Sequence, residues 1–85
     1  MFIDVRLFAI LRERAGKESL TVEVGEGATV RDALDAVARE HDLGDLFVRM
    51  PMVMAVNREY APEDATLAEG DELALIPPVS GGEER

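Results

Sequence analysis

Thr29-Val30-Arg31-Asp32-Ala33-Leu34-Asp35-Ala36-Val37-Ala38-Arg39-Glu40-His41 is the stretch that decides how this chain folds. Val30, Ala33, Leu34, Val37 and Ala38 recur at i, i+3, i+4, i+7 and i+8, which makes one apolar stripe on a helix. Arg31, Asp35, Arg39 and Glu40 take the opposite side. Thr29 is placed to cap the first turn, and Asp32 three residues on approximates a capping box, although Asp reaches less far than Glu. His41, Asp42 and Gly44 mark the end. No other stretch carries so wide a stripe, so one helix of about twelve residues has to cover one face of the sheet that the rest of the chain supplies.

Working outward, Ile3, Val5 and Leu7 alternate with Asp4 and Arg6, the period-two pattern of a half-buried strand, and Phe2 and Phe8 share its polar side. Ala9 to Gly16 reads as a short helical turn closed by glycine. Leu20, Val22 and Val24 alternate with Thr21 and Glu23 as a second strand, which Gly25-Glu26-Gly27 breaks. After the helix, Leu43, Leu46, Phe47, Val48 and Met50 read as an irregular apolar connector that Pro51 ends. Met52 to Val56 is the third strand, and Asn57-Arg58-Glu59 the turn after it. Pro62 to Leu67 reads as a short helical turn, and Gly70-Asp71 lead into a last strand, Glu72 to Ile76, with Leu73 and Leu75 inward. The first and last strands are expected side by side and parallel in the middle. A parallel pair needs a crossover connection, and here the whole intervening chain serves as one. This is an α+β β-grasp (ubiquitin-like) roll, a mixed sheet with one main helix on one face, occupying residues 1–78.

Composition narrows the function. Eighty-five residues make one domain, and 47% hydrophobic with 32% charged residues is the balance of a soluble globular protein. No apolar run approaches the roughly 18 residues of a membrane span, and the opening residues lack the pattern of a secretory signal, so a cytoplasmic, membrane-free protein is expected. With no cysteine there is no disulfide, no thiolate nucleophile and no cysteine-based metal site. Eighteen acidic residues against nine basic ones, net −9, argue against nucleic acid, which needs a clustered basic face, and favour a basic partner surface. Lys17 is the only lysine, against eight arginines.

Catalytic candidates are sparse. Ser19, Ser80, a few threonines and Tyr60 are hydroxyl candidates, and His41 is the only histidine, more simply read as a cation near a helix C-terminus. Asp71-Glu72 and Glu83-Glu84 pair carboxylates only in a turn and a tail, where solvation is their ordinary fate. Phosphate-loop and dinucleotide fingerprints are missing, and Gly25-Glu26-Gly27 is a turn. The chain is expected to have no active site of its own, to bind no cofactor and to hold no metal.

Chemistry concentrates instead in Pro77-Pro78-Val79-Ser80-Gly81-Gly82. Prolines stop the last strand because they cannot donate to a ladder, and the two glycines strip the segment of side-chain bulk. A thin, flexible tail over 79–85 is the expectation. From Pro78 to Gly82 it reaches about 17 Å when extended, at roughly 3.4 Å per residue.

These blocks together resemble the MoaD family, the small sulfur-carrier subunit of molybdopterin synthase and a relative of ThiS and ubiquitin. The resemblance rests on Leu7-Phe8-Ala9 with Arg12-Glu13 and Gly16, Thr29-Val30 with Leu34, and Ala55-Val56-Asn57. Leu67, Gly70-Asp71-Glu72-Leu73-Ala74 and Pro77 to Gly82 complete it, in the family's order over nearly the whole chain. It implies a non-catalytic carrier. A MoeB-like enzyme would use ATP and Mg to adenylate the Gly82 carboxylate, and a persulfide donor would leave a thiocarboxylate there. A MoaE-like large subunit would then receive the tail and use its sulfur for the dithiolene of molybdopterin. Sulfur carried on the main-chain terminus needs no cysteine. Family members of this type end at the second glycine, whereas Glu83-Glu84-Arg85 extend the chain here, so either a processing protease exposes Gly82 or the chain belongs to a branch with another use. The same resemblance admits sulfur delivery to thiamine, cysteine or tRNA thiolation, and a ubiquitin-like modifier joined to lysines through Gly82. Partners are expected on the sheet face turned away from the helix, at Phe8, Ala74 and Ile76 with Phe2, since these lie out of phase with the core positions.

Overall fold

A computed structural model of the chain describes residues 1–78. Its elements run β1 (Phe2–Leu7), α1 (Ala9–Ala15), β2 (Ser19–Glu23), α2 (Val30–His41), α3 (Gly44–Arg49), β3 (Val53–Val56), β4 (Glu59–Tyr60) and β5 (Glu72–Ile76). The strands form one sheet in the order β2-β1-β5-β3-β4. β1 and β5 pair in parallel at its centre, with Val5 beside Leu73 and Leu7 beside Leu75, and the other three pairings are antiparallel. That is the β-grasp topology.

The alternation read in the sequence decides which face of the sheet is covered. Ile3, Val5, Leu7, Leu20, Val22, Leu73 and Leu75 point to one side and are buried there. α2 lies over them with Val30, Ala33, Leu34 and Val37, the stripe expected of it. Ala36 is buried as well, while Ala38 is only half-buried, so the contact face is rotated slightly from the expected stripe. Asp32 does reach: its Oδ2 accepts from the Thr29 N–H at 2.9 Å, and Thr29 Oγ1 accepts from the Asp32 N–H at 3.3 Å. A complete capping box therefore forms with the shorter acid. At the other end Asp42 closes the helix in the left-handed region, at φ 57°.

Three segments differ from their sequence reading. The apolar connector is a helix, α3, too short for periodicity to stand out: Leu43 and Leu46 turn into the core, Phe47 half covers it, and Val48 is 86% exposed. The turn after β3 is only Asn57-Arg58. Glu59 already pairs with Val56 and Tyr60 with Ala55, which makes an additional strand, β4. Both loop residues have positive φ, 51° and 73°, as a two-residue hairpin matched to strand twist requires. Pro62 to Leu67 is not helical. The Ala65 N–H donates to the Pro62 carbonyl in a single turn, Thr66 bridges to Thr29, and Leu67 is buried beneath.

Leu34 of α2 is 6% exposed and lines, with Met50, Met52 and Met54, a groove at the rim of the core. Leu34→Ala is expected to cost about 2 kcal/mol, the lower part of the roughly 2–5 kcal/mol range for such truncations, because one side of the void opens to that rim. Urea titration checks this, and a loss under about 0.5 kcal/mol would place Leu34 outside the core.

Candidate docking face and tail exit

The face of the sheet away from α2 is built by the other strand phase. Register places Arg6, Ala74, Ala55 and Tyr60 in one row across β1, β5, β3 and β4. The next row, toward the end of β5, holds Ile76 beside Val53, with Phe8 just past the end of β1. Phe8 is 37%, Val53 45% and Tyr60 83% exposed, while Ala74 and Ile76 are half-buried. None of these five belongs to the core or packs against it. Phe8, Ala74 and Ile76 thus lie on one face of the sheet. Val53 and Tyr60 extend the patch beyond the residues the sequence suggested; the alternation of β3, with Met54 inward, was the available signal for Val53.

Phe2 is on the same face but at the far end of the sheet, where the Gly70 N–H donates to its carbonyl. It stands apart from the patch beside Pro77. Arg6 spans the middle of the face: its guanidinium lies 6.0 Å from the Phe8 ring centroid and 3.4 Å from a Glu72 carboxylate oxygen. Both partners are partly exposed, so the ion pair contributes about 0–1 kcal/mol.

The chain leaves this face at Pro77, which is buried, and Pro78, which is exposed. Both line a groove of about 630 Å³ with Ala9 and Ile10 at the start of α1, and Leu46 and Met50 from α3. β1 passes into α1 through Phe8 alone, and the reversal is made at Ala9 with φ 53°, a left-handed conformation that costs an L-residue about 1–2 kcal/mol. Asp45 of α3 clips the groove wall to α1, accepting from Arg14 at 3.1 Å and from Arg49 at 3.3 Å. The Arg14 hydrogen bond, aided by the charges of both arginines, holds the Asp45 carboxyl below the usual range. With its pKa depressed in the folded state, this clip stabilises above the unfolded-state value and is lost as pH falls through the folded one. Val79, Ser80, Gly81 and Gly82, with Glu83 to Arg85, lie outside the described residues.

The remaining sequence blocks are structural. Asn57 Nδ2 donates to Asp71 Oδ1 at 3.0 Å, and Asn57 Oδ1 accepts from the Glu72 N–H at 3.0 Å. Asp71 Oδ2 accepts from the Ala68 N–H at 2.8 Å, and Gly70 turns the chain at φ 83°. Together they tie the β3–β4 hairpin to the entry of β5, at the end of the sheet opposite the tail. Among the described residues no group of histidine and carboxylate side chains is placed to hold a metal ion, and no helix is long and apolar enough to cross a membrane.

A mixed sheet with a central parallel pair, one main helix across it and a bare apolar face define a ubiquitin-like β-grasp protein. The chain belongs to the ThiS family, whose sequence model matches residues 5–82. It is 43% identical to the molybdopterin synthase sulfur carrier subunit of Chlamydomonas reinhardtii, over 96% of this chain and 100% of that one. It is equally 43% identical to small archaeal modifier protein 1 of Haloferax volcanii, over 94% of this chain and 100% of the other. The crystal structure of that Haloferax protein superposes with a TM-score of 0.86 at 39% identity, covering 96% of this chain and 100% of the other.

Removing the Asn57 side chain leaves the Asp71 carboxylate and the Glu72 N–H without their partner. Asn57→Ala is expected to cost about 1–3 kcal/mol in chemical denaturation without altering the sheet's circular dichroism; an unchanged midpoint would mean the clamp is idle.

Proposed function

We propose that the chain is a non-catalytic sulfur carrier whose reactive group is the Gly82 carboxyl, serving as the small subunit of a molybdopterin synthase. The observation that carries the reading is Pro77-Pro78-Val79-Ser80-Gly81-Gly82 directly after the central strand of a ThiS-family fold, in a chain 43% identical to a sulfur carrier subunit over that subunit's whole length.

The chemistry asked of the chain is small. A MoeB-like partner, with ATP and Mg, transfers AMP to the Gly82 carboxylate and releases pyrophosphate, which turns a poor electrophile into an acyl group with a good leaving group. A persulfide sulfur attacks that carbonyl carbon and AMP departs; reductive cleavage of the S–S bond by a thiol then leaves the thiocarboxylate. A MoaE-like large subunit receives the tail and uses the sulfur. Glycine at positions 81 and 82 keeps the arm narrow enough for such pockets, since any Cβ would widen it. Docking falls to Phe8, Ala74 and Ile76, extended by Val53 and Tyr60, and the net charge of −9 favours encounter with a basic cleft. The relative named as a modifier protein, at the same identity, favours a second reading in which the activated Gly82 is joined to amino groups of other proteins.

Adenylation needs a free carboxyl on Gly82, so Glu83-Glu84-Arg85 are removed first. A chain cut after Gly82 should be adenylated and accept sulfur, and the 85-residue chain should do neither until cut. Intact mass reads both the trimming and the exchange of oxygen for sulfur. Sulfur transfer by the uncut protein, its mass unchanged, would remove the processing step from the scheme.

Ile76 ends β5 on this face, half-buried beside Val53 and outside the core. Ile76→Asp is expected to weaken binding to a MoaE-like or MoeB-like partner by at least about tenfold, the size of a hot-spot loss, while the thermal midpoint hardly moves. Unchanged affinity in titration calorimetry would put the interface elsewhere.

A further inference from the structure

β2 stands at one edge of the sheet, with β1 on its inner side and no strand on its outer side among the described residues. Its ladder shows which backbone groups are already used. Met1 and Val24 bond in both directions, at 2.9 and 2.6 Å, and the Leu7 N–H donates to the Glu18 carbonyl at 2.9 Å. Between these points the register is unbroken, from Phe2 beside Glu23 to Arg6 beside Ser19. Bonding pairs alternate in an antiparallel ladder, so Leu20 and Val22 also bond to β1, while the N–H and C=O groups of Ser19, Thr21 and Glu23 point outward. A row of donors and acceptors is left open along the edge.

Sheet edges are ordinarily blunted by brevity, proline, lysine, a bulge or a covering segment. The opposite edge follows this rule, because β4 has only two residues and Pro62 comes just after it. β2 has five residues, with no proline, lysine or bulge among them. Charge guards it instead. Thr21 Oγ1 lies 3.5 Å from an Asp4 carboxylate oxygen on the bare face, with Glu23 next along the strand. On the other side, a groove of about 460 Å³ between the end of β2 and α2 is lined by Glu23, Glu26, Asp32 and Asp35, with Arg39 its only base and Ala28 and Ala36 its apolar residues. A second copy would bring the same acids to this edge, in a molecule that already carries a net charge of −9. In the register that sets Thr21 against Thr21, Glu18 of one copy would fall next to Glu23 of the other.

We propose that the outer edge of β2 is a docking site for an extended, basic segment of a partner protein, which adds to the sheet as a sixth strand. Backbone groups of Ser19, Thr21 and Glu23 supply the ladder, as in other cases of strand addition. Basic side chains of the incoming segment meet Glu23 on the bare face, with Asp4 one strand behind, and alternate small apolar ones lie over the groove beside Ala36. Because β1 separates this edge from β5, an occupied edge leaves Ile76 and Pro77 uncovered, and the proposal does not depend on the carrier reading.

A blocked hexapeptide of alternating valine and lysine is the probe, titrated into the isotope-labelled full chain with amide NMR as the readout. Expected are saturable shifts and slowed amide exchange at Ser19, Thr21 and Glu23, with Leu20 and Val22 protected before and after. Salt at about 1 M, where screening acts within about 3 Å, should weaken binding. Glutamate in place of lysine, or N-methylation of the peptide's bonding amides, should weaken it by about tenfold or more. Thr21→Pro removes the central outward donor and no bond to β1, so it should weaken binding as much with the β1 ladder intact. The proposal is overturned if the hexapeptide does not bind, if its shifts fall on the Phe8 and Ile76 face, or if the N-methylated peptide binds equally well, since charge alone would then be at work. Protection of Ser19, Thr21 and Glu23 that rises with protein concentration in the absence of peptide would overturn it in favour of a second copy.

Discussion

Parallel pairing of β1 with β5 cannot be made by a turn, so everything between Leu7 and Glu72 is in effect one long crossover, and each element in it has to return the chain to the same sheet. α2 meets that demand by burying Val30, Ala33, Leu34 and Val37 against Val5, Leu7, Leu73 and Leu75, which the central pair contributes. Such burial is worth roughly 1.5–3 kcal/mol per large aliphatic side chain, far more than any of the exposed ion pairs. Stability is therefore concentrated on one side of the sheet. The other side carries little of it and leaves Phe8, Val53 and Tyr60 exposed beside a half-buried Ile76.

A second division runs along the strands. At the end where β5 begins, Asn57, Asp71 and Gly70 lock the hairpin to the sheet with hydrogen bonds of 2.8 to 3.0 Å. At the end where β5 finishes, Phe8, Ala9, Ile10 and Pro77 collect, and there the backbone accepts a left-handed alanine. The blocks that carry the family resemblance fall into these two groups: some build the frame and some surround the place where the chain leaves it. Residues that look equally distinctive in the sequence thus have different work, and only the hydrogen-bond partners of Asn57 and Asp71 separate them.

Elements long enough to repeat their period were legible. The α2 stripe, its cap and the alternation of β1, β2 and β5 are in the sequence because each spans several repeats of 3.6 or 2. α3 offers fewer than two turns, and β4 only Glu59 and Tyr60, so neither shows a period; tertiary pairing makes them regular. Pro62 to Leu67 has the composition of a helix start, yet Thr66 bridges Thr29 instead, a long-range partner that no local rule supplies. The same limit explains the make-up of the bare sheet face. Phe8, Ala74 and Ile76 are out of phase with neighbours in their own segments and could be read, whereas Tyr60 joins them only through a strand too short to show in the sequence. Phe2 has the right phase, but its distance from Pro77 depends on register.

The central position of β5 also governs how the molecule answers to force. A pull on the tail acts along β5, which is bonded to β1 on one edge and to β3 on the other. Hydrogen bonds on both edges are then loaded together in shear rather than opened one at a time from an end. A pull on the chain beyond Pro78 is thus taken up first by the paired centre of the sheet and not by an edge that can be peeled away strand by strand.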